Sequence, residues 1–345
     1  MAKDHSVIEI EGKQLKLSNL SKVLYPAAGF TKGQVIDYYV RIAPVLLPHL
    51  RGRPLTLKRY PEGVDGQFFY EKNCPRHRPD WVTTAPIWSG VRNDYIHFCV
   101  VEDVATLVWL ANLADLELHT SLSLARKIEQ PTMMVFDLDP GEPANIVQCC
   151  QVGLWLKEIF DKFGLNCYAK TSGSKGLQIY VPLNTPVTYE QTKPFANALA
   201  RLLETEHPDL VVSDMKKALR VGKILVDWSQ NDDHKTTINV YSLRARQQPT
   251  VSTPVTWDEV KRCFNKKEPK LLVFASHQVL DRVEKMGDIF APVLTEKQKL
   301  PDVGNLRVAS EGAPTARSKT AAVQSTTTSR KRSKPLSKRA ATHKK

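Results

Sequence analysis

The sequence predicts a mixed α/β (α+β) body, with sheets flanked by helices and one site built on sheet edges. Three observations carry this expectation. Segments that alternate apolar and polar residues are interleaved with segments whose apolar residues recur every three to four positions. Two short apolar runs, Met133-Met134-Val135-Phe136-Asp137-Leu138-Asp139-Pro140 and Ile224-Leu225-Val226-Asp227-Trp228, end in carboxylates. The chain has 345 residues, 42% of them hydrophobic, enough for one large core or two smaller ones.

In chain order, Ile8–Leu17 reads as a strand pair turning at Glu11-Gly12. Thr31 caps a helix running to about Leu47, with Val35, Tyr39, Ile42 and Leu46 on one face and a bend at Pro44. Strands follow over Pro54–Tyr60 and Gln67–Glu71, around the turn Pro61-Glu62-Gly63. Asp103–Ala114 has helical spacing. Leu116–Thr120 and Thr132–Leu138 read as strands, and Ala144–Phe163 as a long helix stopped by Gly164. Strands over Cys167–Thr171 and Leu177–Pro182 precede a helix over Tyr189–Glu206. Strands over Ile224–Trp228 and Thr236–Tyr241 come next, then helices over Trp257–Asn265 and Ser276–Met286. There is no internal repeat.

The Asp-x-Asp run holds the sharpest chemistry. Side chains alternate along a strand, so Asp137 and Asp139 share one face while Phe136 and Leu138 take the other. Neighbouring carboxylates repel unless a cation lies between them, and hard oxygen ligands suit Mg²⁺ or Mn²⁺. The bland alternative is an acidic turn, since Pro140-Gly141 follows. Asp227 ends its own run and is a third candidate carboxylate, although a lone Asp at a strand end also starts turns. The segment Lys170-Thr171-Ser172-Gly173-Ser174-Lys175-Gly176-Leu177-Gln178 is a Gly-rich turn between strands. It is either a phosphate-approaching loop, with Lys175 as point charge, or a plain hairpin. Its spacing is not that of a Walker A loop. Arg244 and Arg246 share a face if their strand continues, and planar guanidinium forks suit phosphate. Arg51–Arg78 interleaves seven basic and three acidic residues with Tyr60, Phe68, Phe69 and Tyr70. This is either a stacking platform for unpaired bases or core, one of each adjacent aromatic pair turning inward.

Charge is uneven. Residues 301–345 hold 11 Lys and Arg against Asp302 and Glu311, and so carry +9 of the net +13. The organisation expected is a folded body over 1–300 and a basic, disordered tail over 301–345, whose run Arg330-Lys331-Arg332-Ser333-Lys334 suits polyphosphate. No apolar run is long enough to span a bilayer, and the N-terminal residues lack a signal-peptide core. The six cysteines show no framework spacing, so reduced thiols in a cytoplasmic protein are expected. Cys74 and His77 have no second pair to complete a zinc site.

Taken in series, these motifs resemble the polymerase domain of the bacterial repair enzyme ligase D, of the archaeo-eukaryotic primase superfamily. The resemblance runs through Leu20–Pro26, Phe136–Gly141, Lys170–Leu177, Val226–Asn231 and Lys235–Arg246, over roughly residues 10–295. It implies a primase-type catalytic core and a template-dependent nucleotidyltransferase (a DNA polymerase or primase) that adds ribo- or deoxynucleotides. Asp137, Asp139 and Asp227 would hold two divalent ions, Mn²⁺ or Mg²⁺. It further implies gap filling and end extension in non-homologous end joining at DNA double-strand breaks. The partners implied are gapped or broken DNA with a 5′-phosphate, nucleoside triphosphates, the end-binding protein Ku and a DNA ligase. By position, His119, Ser172, Lys175, Gln178 and Arg244 correspond to nucleotide contacts. Asn19, Lys22 and Lys32 correspond to a 5′-phosphate pocket, and Phe69 and Tyr70 to the template-stacking pair. Where the family has Gly-Leu-His, this chain has Gly176-Leu177-Gln178, and glutamine hydrogen-bonds without carrying charge. There is no Lys-x-Asp-Gly adenylation motif, so a stand-alone, nucleoid-associated bacterial polymerase with a basic tail is the expectation. The competing classes are a metal-dependent nuclease and a non-catalytic DNA-end-bridging module.

Overall fold

The computed structural model describes residues 5–301. The basic tail expected beyond residue 300 lies outside the described residues from 302 onward. Two six-stranded sheets organise the chain. The first has the order Val211–Val212, Ile224–Asp227, Met133–Pro140, Leu177–Pro182, Tyr168–Thr171, Pro254–Val255, antiparallel except at its first pair. The second has the order Thr237–Ile238, Asp115–Thr120, Leu55–Arg59, Asp94–Cys99, Thr84–Ser89, with Phe69–Glu71 also paired to Leu55–Arg59.

Each sheet buries one face under helices. Met134, Phe136 and Leu138 enter a core shared with helices Ile146–Lys162, Tyr189–Glu206 and Trp257–Lys266. Met133 and Val135, on the other face of the same strand, join the second core, built around helices Lys32–Leu50 and Val104–Asn112. Period-two alternation therefore continues into the carboxylates: past Val135 the second face carries Asp137 and Asp139, at the point where the core gives way to a cleft. In helix Lys32–Leu50, Val35, Tyr39, Ile42 and Leu46 are all fully buried, each contributing about 1.5–3 kcal/mol of transfer free energy. Thr31 and Gln34 close a capping box at its start.

Helices Tyr189–Glu206 and Ser276–Met286 have the expected limits, and the turn at Glu11-Gly12 joins the antiparallel strands His5–Ile10 and Lys13–Ser18. Other expectations are corrected. The strand expected over Thr236–Tyr241 is only Thr237–Ile238. Asn239 N still donates to Leu118 O at 2.8 Å, but Tyr241 takes φ 63° and turns the chain away. Arg244 and Arg246 accordingly sit on an irregular segment and not on a continuing strand. The hairpin Thr84–Ser89 and Asp94–Cys99 carries Trp88 and Tyr95 half exposed and was not anticipated. Cys74 and Cys99 form a disulfide instead of remaining reduced. Cys74 N donates to His97 O at 2.6 Å, which lays the loop against the end of that strand and brings the two Cα atoms to 4.9 Å. This also removes Cys74 as a metal ligand. Cys149, Cys150, Cys167 and Cys263 are free and buried. No described helix is long and apolar enough to cross a membrane.

Candidate active site

A cleft of about 680 Å³ is lined by both sheets, with Asp137 and Asp139 from one, Thr56, His119 and Thr237 from the other. The chain itself joins its walls. After Asp227 it leaves the first sheet through the turn Trp228–Gln230, enters the second at Thr237–Ile238, and returns to the first at Pro254–Val255.

Asp137 lies directly opposite Asp227 across the antiparallel ladder. Directly opposed residues share a face, so three carboxylates separated by up to ninety positions meet at one place. They do not form a finished cage: among the described residues no three His, Cys, Asp or Glu side chains stand as a ready cation site. The reason is visible at Asp227. Its Oδ1 accepts from Ser229 N at 2.9 Å and Ser229 Oγ at 2.6 Å, and its Oδ2 accepts from Gln230 Nε2 at 2.9 Å. Asp137, in contrast, has a buried Oδ1 with no hydrogen-bond partner. Burial, then the charge of Asp139, pushes the Asp137 carboxyl up; burial, then Asp227, pushes Asp139 up. An orphaned carboxylate oxygen among mutually repelling acids is the donor set a hard divalent cation fits.

The Gly-rich turn is a tight hairpin between Tyr168–Thr171 and Leu177–Pro182. Gly173 has φ 68°, and a Cβ on Gly176 would stand 2.3 Å from Leu138 O. Only glycine at Gly176 lets the hairpin press this closely on the carboxylate strand. Ser172 Oγ accepts from Ser174 N and Gly176 N at 3.2 and 3.0 Å, leaving its own O–H to donate elsewhere. Arg244 donates to Ser172 O and Arg246 to Ser174 Oγ, so both arginines brace this turn. Lys175 is exposed and pairs with Glu142 at 2.6 Å.

Gln178 is buried opposite Asp137 on the neighbouring strand and lines the cleft. Its Oε1 accepts from Lys170, a fully buried lysine whose other partners are Ile238 O at 3.0 Å and Ser252 Oγ at 2.7 Å. Three acceptors match the three N–H groups of an ammonium. With its oxygen engaged by Lys170, the Gln178 amide has only its N–H groups to offer Asp137 opposite it, and this interaction opposes the rise of the Asp137 pKa.

His119 Nε2 stands 3.1 Å from Glu117 Oε2, and its ring packs edge-on to Tyr70 at 6.1 Å. Phe68, Phe69 and Tyr70 are all at least 43% exposed, so neither member of an adjacent pair turns inward. Strand Phe69–Glu71 is a short edge, and Lys58 and Arg59 stand 4.6 and 5.1 Å from the Phe68 and Phe69 rings. Asn19, Lys22 and Lys32 gather elsewhere, outside the cleft walls. Lys22 N donates to Asn19 O, and Lys32 N to Lys22 O. Burial, then the charge of Lys22, lowers Lys32 to about 8, while Lys22 itself pairs with Glu62 at 3.0 Å.

Four residues that the sequence reading did not list as site residues belong to this region. Arg220 and Lys235 line the cleft, and Arg220 lowers the Asp139 pKa. Lys170 and Glu117 stand behind it. Local pattern offers no signal for Arg220, which sits in a 3-10 turn. Lys170 opens the Gly-rich segment and Glu117 lies inside the expected strand Leu116–Thr120, and a charge in mid-strand is the available clue to both.

Two sheets around a carboxylate cleft, with a basic Gly-rich hairpin beside it, define a domain of the primase-polymerase class. The chain belongs to the LigD primase-polymerase domain family, whose family model matches residues 31–290. It is 40% identical over 283 residues to the multifunctional non-homologous end joining protein LigD of Mycolicibacterium smegmatis, covering 81% of this chain and 36% of that protein. It is 33% identical over 289 residues to the bifunctional non-homologous end joining protein LigD of Bacillus subtilis, covering 84% and 45%. The chain thus spans less than half the length of these relatives. It superposes on the polymerase domain of Mycobacterium tuberculosis ligase D in complex with DNA with a TM-score of 0.75 and 37% identity, over 82% of this chain and 99% of that one.

Proposed function

We propose that this domain is a template-dependent nucleotidyltransferase that adds ribo- or deoxynucleotides to a primer end, filling gaps and extending ends of broken DNA. The observation that carries the reading is the single face shared by Asp137, Asp139 and Asp227, of which Asp137 and Asp139 line a cleft whose lining also includes Lys72, Lys175, Arg220, Lys235, Arg244 and Arg246. The solved DNA complex of a 37% identical domain and the end-joining names of the relatives support it.

In this reading a 3′-hydroxyl attacks the α-phosphorus in line and pyrophosphate departs, so neutralising charge is most of the work. Asp137 and Asp139 would hold divalent cations, with Asp227 adjoining. Bound Mn²⁺ or Mg²⁺ supplies Lewis acidity and charge neutralisation there. The free O–H of Ser172, the ammonium of Lys175 and the guanidinium of Arg244 hold the triphosphate, with His119 and the Gln178 amide alongside. Phe69 and Tyr70 stack template bases. A 5′-phosphate dianion seated between Lys22 and Lys32, near Asn19, relieves their mutual repulsion. Ku and a DNA ligase are the protein partners this function implies.

The test is incorporation on a gapped duplex bearing a 5′-phosphate, with ribo- or deoxynucleotides and Mn²⁺ or Mg²⁺. Nucleotide-dependent extension is expected. Strand degradation without nucleotides indicates a nuclease, and end binding without incorporation a bridging module; either overturns the proposal. In the same assay Gln178→His is expected to raise kcat/KM about tenfold, the size of one hydrogen bond to a charged group. An unchanged or lower value shows that glutamine at this position costs no activity.

Tyr70→Ala is expected to weaken single-stranded template binding by ~1–3 kcal/mol, as loss of one stacked base does. Fluorescence anisotropy with a labelled oligonucleotide measures this, and wild-type affinity removes Tyr70 from the platform.

A further inference from the structure

Glu117 is 2% exposed and does not line the cleft, yet two cations, Lys58 and Arg244, and the His119 ring converge on it. Its Oε2 is 3.1 Å from both Lys58 Nζ and His119 Nε2. Its Oε1 is 3.3 Å from Arg244 Nε and accepts Ala245 N at 3.0 Å. Although burial opposes ionisation, the hydrogen bond from His119 and the charges of Arg244 and Lys58 hold this carboxyl well below the usual range, while burial lowers the pKa of the His119 imidazole itself, so that His119 acts on Glu117 chiefly as a hydrogen-bond donor. It is therefore an anion shared between two groups that face the cleft and one that lies beside the aromatic platform, with Oε2 touching both His119 and Lys58. His119 and Arg244 face the cleft. Lys58, the cross-strand partner of Glu117, lies 4.6 Å from the Phe68 ring and 5.5 Å from the Tyr70 ring.

We propose that Glu117 is a positioning residue that sets His119 and Arg244 for the incoming nucleotide and, through Lys58, ties their placement to the aromatic template platform. The inference rests on the polymerase reading and deepens it. A base stacked on Tyr70 restrains Lys58; Lys58 restrains the Glu117 carboxylate; the carboxylate restrains the two nucleotide contacts. Each ligand then pays less ordering entropy when the other is bound, so template and nucleotide bind with positive coupling that is equal in both directions.

The experiment measures equilibrium binding of a fluorescent ATP analogue, without divalent cation, in the presence and absence of a single-stranded oligonucleotide. Steady-state incorporation on the gapped duplex accompanies it. Wild type is expected to bind the analogue about fivefold or more tighter with the oligonucleotide present. Glu117→Gln keeps the shape and removes the charge. It is expected to bring that ratio near one and to raise nucleotide KM about tenfold or more while kcat falls less. A purely structural role would lower stability without collapsing the ratio or splitting KM from kcat. Glu117→Gln leaves buried cations unmatched, so Lys58→Met carries the test if that variant fails to fold. Lys58 does not line the cleft, yet its loss is expected to bring the ratio near one as well. A folded Glu117→Gln or Lys58→Met with an unchanged ratio overturns the inference while leaving the polymerase reading intact. A wild type that binds no nucleotide and incorporates none on the gapped duplex with Mn²⁺ overturns both.

Discussion

Asp137→Ala and Asp139→Ala each abolish nucleotide addition while the protein stays folded. Losing one group that stabilises transition-state charge slows a reaction by ~10²–10³, and losing a carboxylate that holds a cation forfeits the cation's contribution as well, so a drop of ~10³ or more is expected. The fold survives because neither side chain supports it. Asp139 keeps much of its surface in solvent although its carboxyl is partly desolvated, and Asp137 is partly buried with an oxygen that no donor satisfies. Truncating it removes an unpaired polar atom and opens no apolar cavity. Primer extension in Mn²⁺, paired with a thermal melt of the same preparation, measures both effects. A variant that retains more than about a tenth of the wild-type rate removes that carboxylate from the chemistry.

The second large effect concerns stability. Burial, then the neighbouring Asp139, pushes Asp137 from the usual 3.8 to about 7. A carboxyl whose folded pKa is raised contributes stability that is fully present below its unfolded pKa and is lost as pH rises through the folded one. Without divalent cations, this group therefore lowers stability progressively between pH 4 and 8. Asp137→Asn removes the titration, and at pH 8 is expected to melt about 3–6 °C higher than wild type, equivalent to ~1–2 kcal/mol. Buried Lys170 responds in the opposite sense, since its folded form gives up a proton more easily. The difference between wild type and Asn variant isolates the carboxyl. Mn²⁺ raises the wild-type midpoint more at pH 8 than at pH 5.5, because the ligating carboxylates must be deprotonated. Equal midpoints for wild type and Asp137→Asn at pH 8, or a Mn²⁺ effect indifferent to pH, would falsify this account of the site.

Much of the fold was legible because it is written locally. A capping box such as Thr31 with Gln34, a period-two run such as Met133–Pro140, and a glycine stop at Gly164 each need only a few consecutive residues. Within the site, the common face of Asp137 and Asp139 followed from that alternation alone. The errors have non-local causes. For Phe68, Phe69 and Tyr70 local pattern leaves an exposed platform and a core face both open, and their place at a short edge strand exposes all three. Cys74 and Cys99 meet because a loop hydrogen-bonds to the end of a strand, which spacing cannot reveal. The hairpin carrying Trp88 and Tyr95 presents apolar side chains on both faces, these two outward and Ile96 and Phe98 inward, and this blurs the alternation by which a strand is recognised.

By itself the amino-acid order determined most of the elements, the family and the pairing of Asp137 with Asp139, since all three reside in short contiguous patterns. Tertiary structure decided what those pieces can do together. It placed Asp227 opposite Asp137, fastened the Gln178 oxygen to Lys170, and gathered Lys58, His119 and Arg244 on Glu117. The physical reason is range: backbone periodicity acts over a few residues, whereas ladder register and the neutralisation of buried charge are settled only when distant segments are packed against each other.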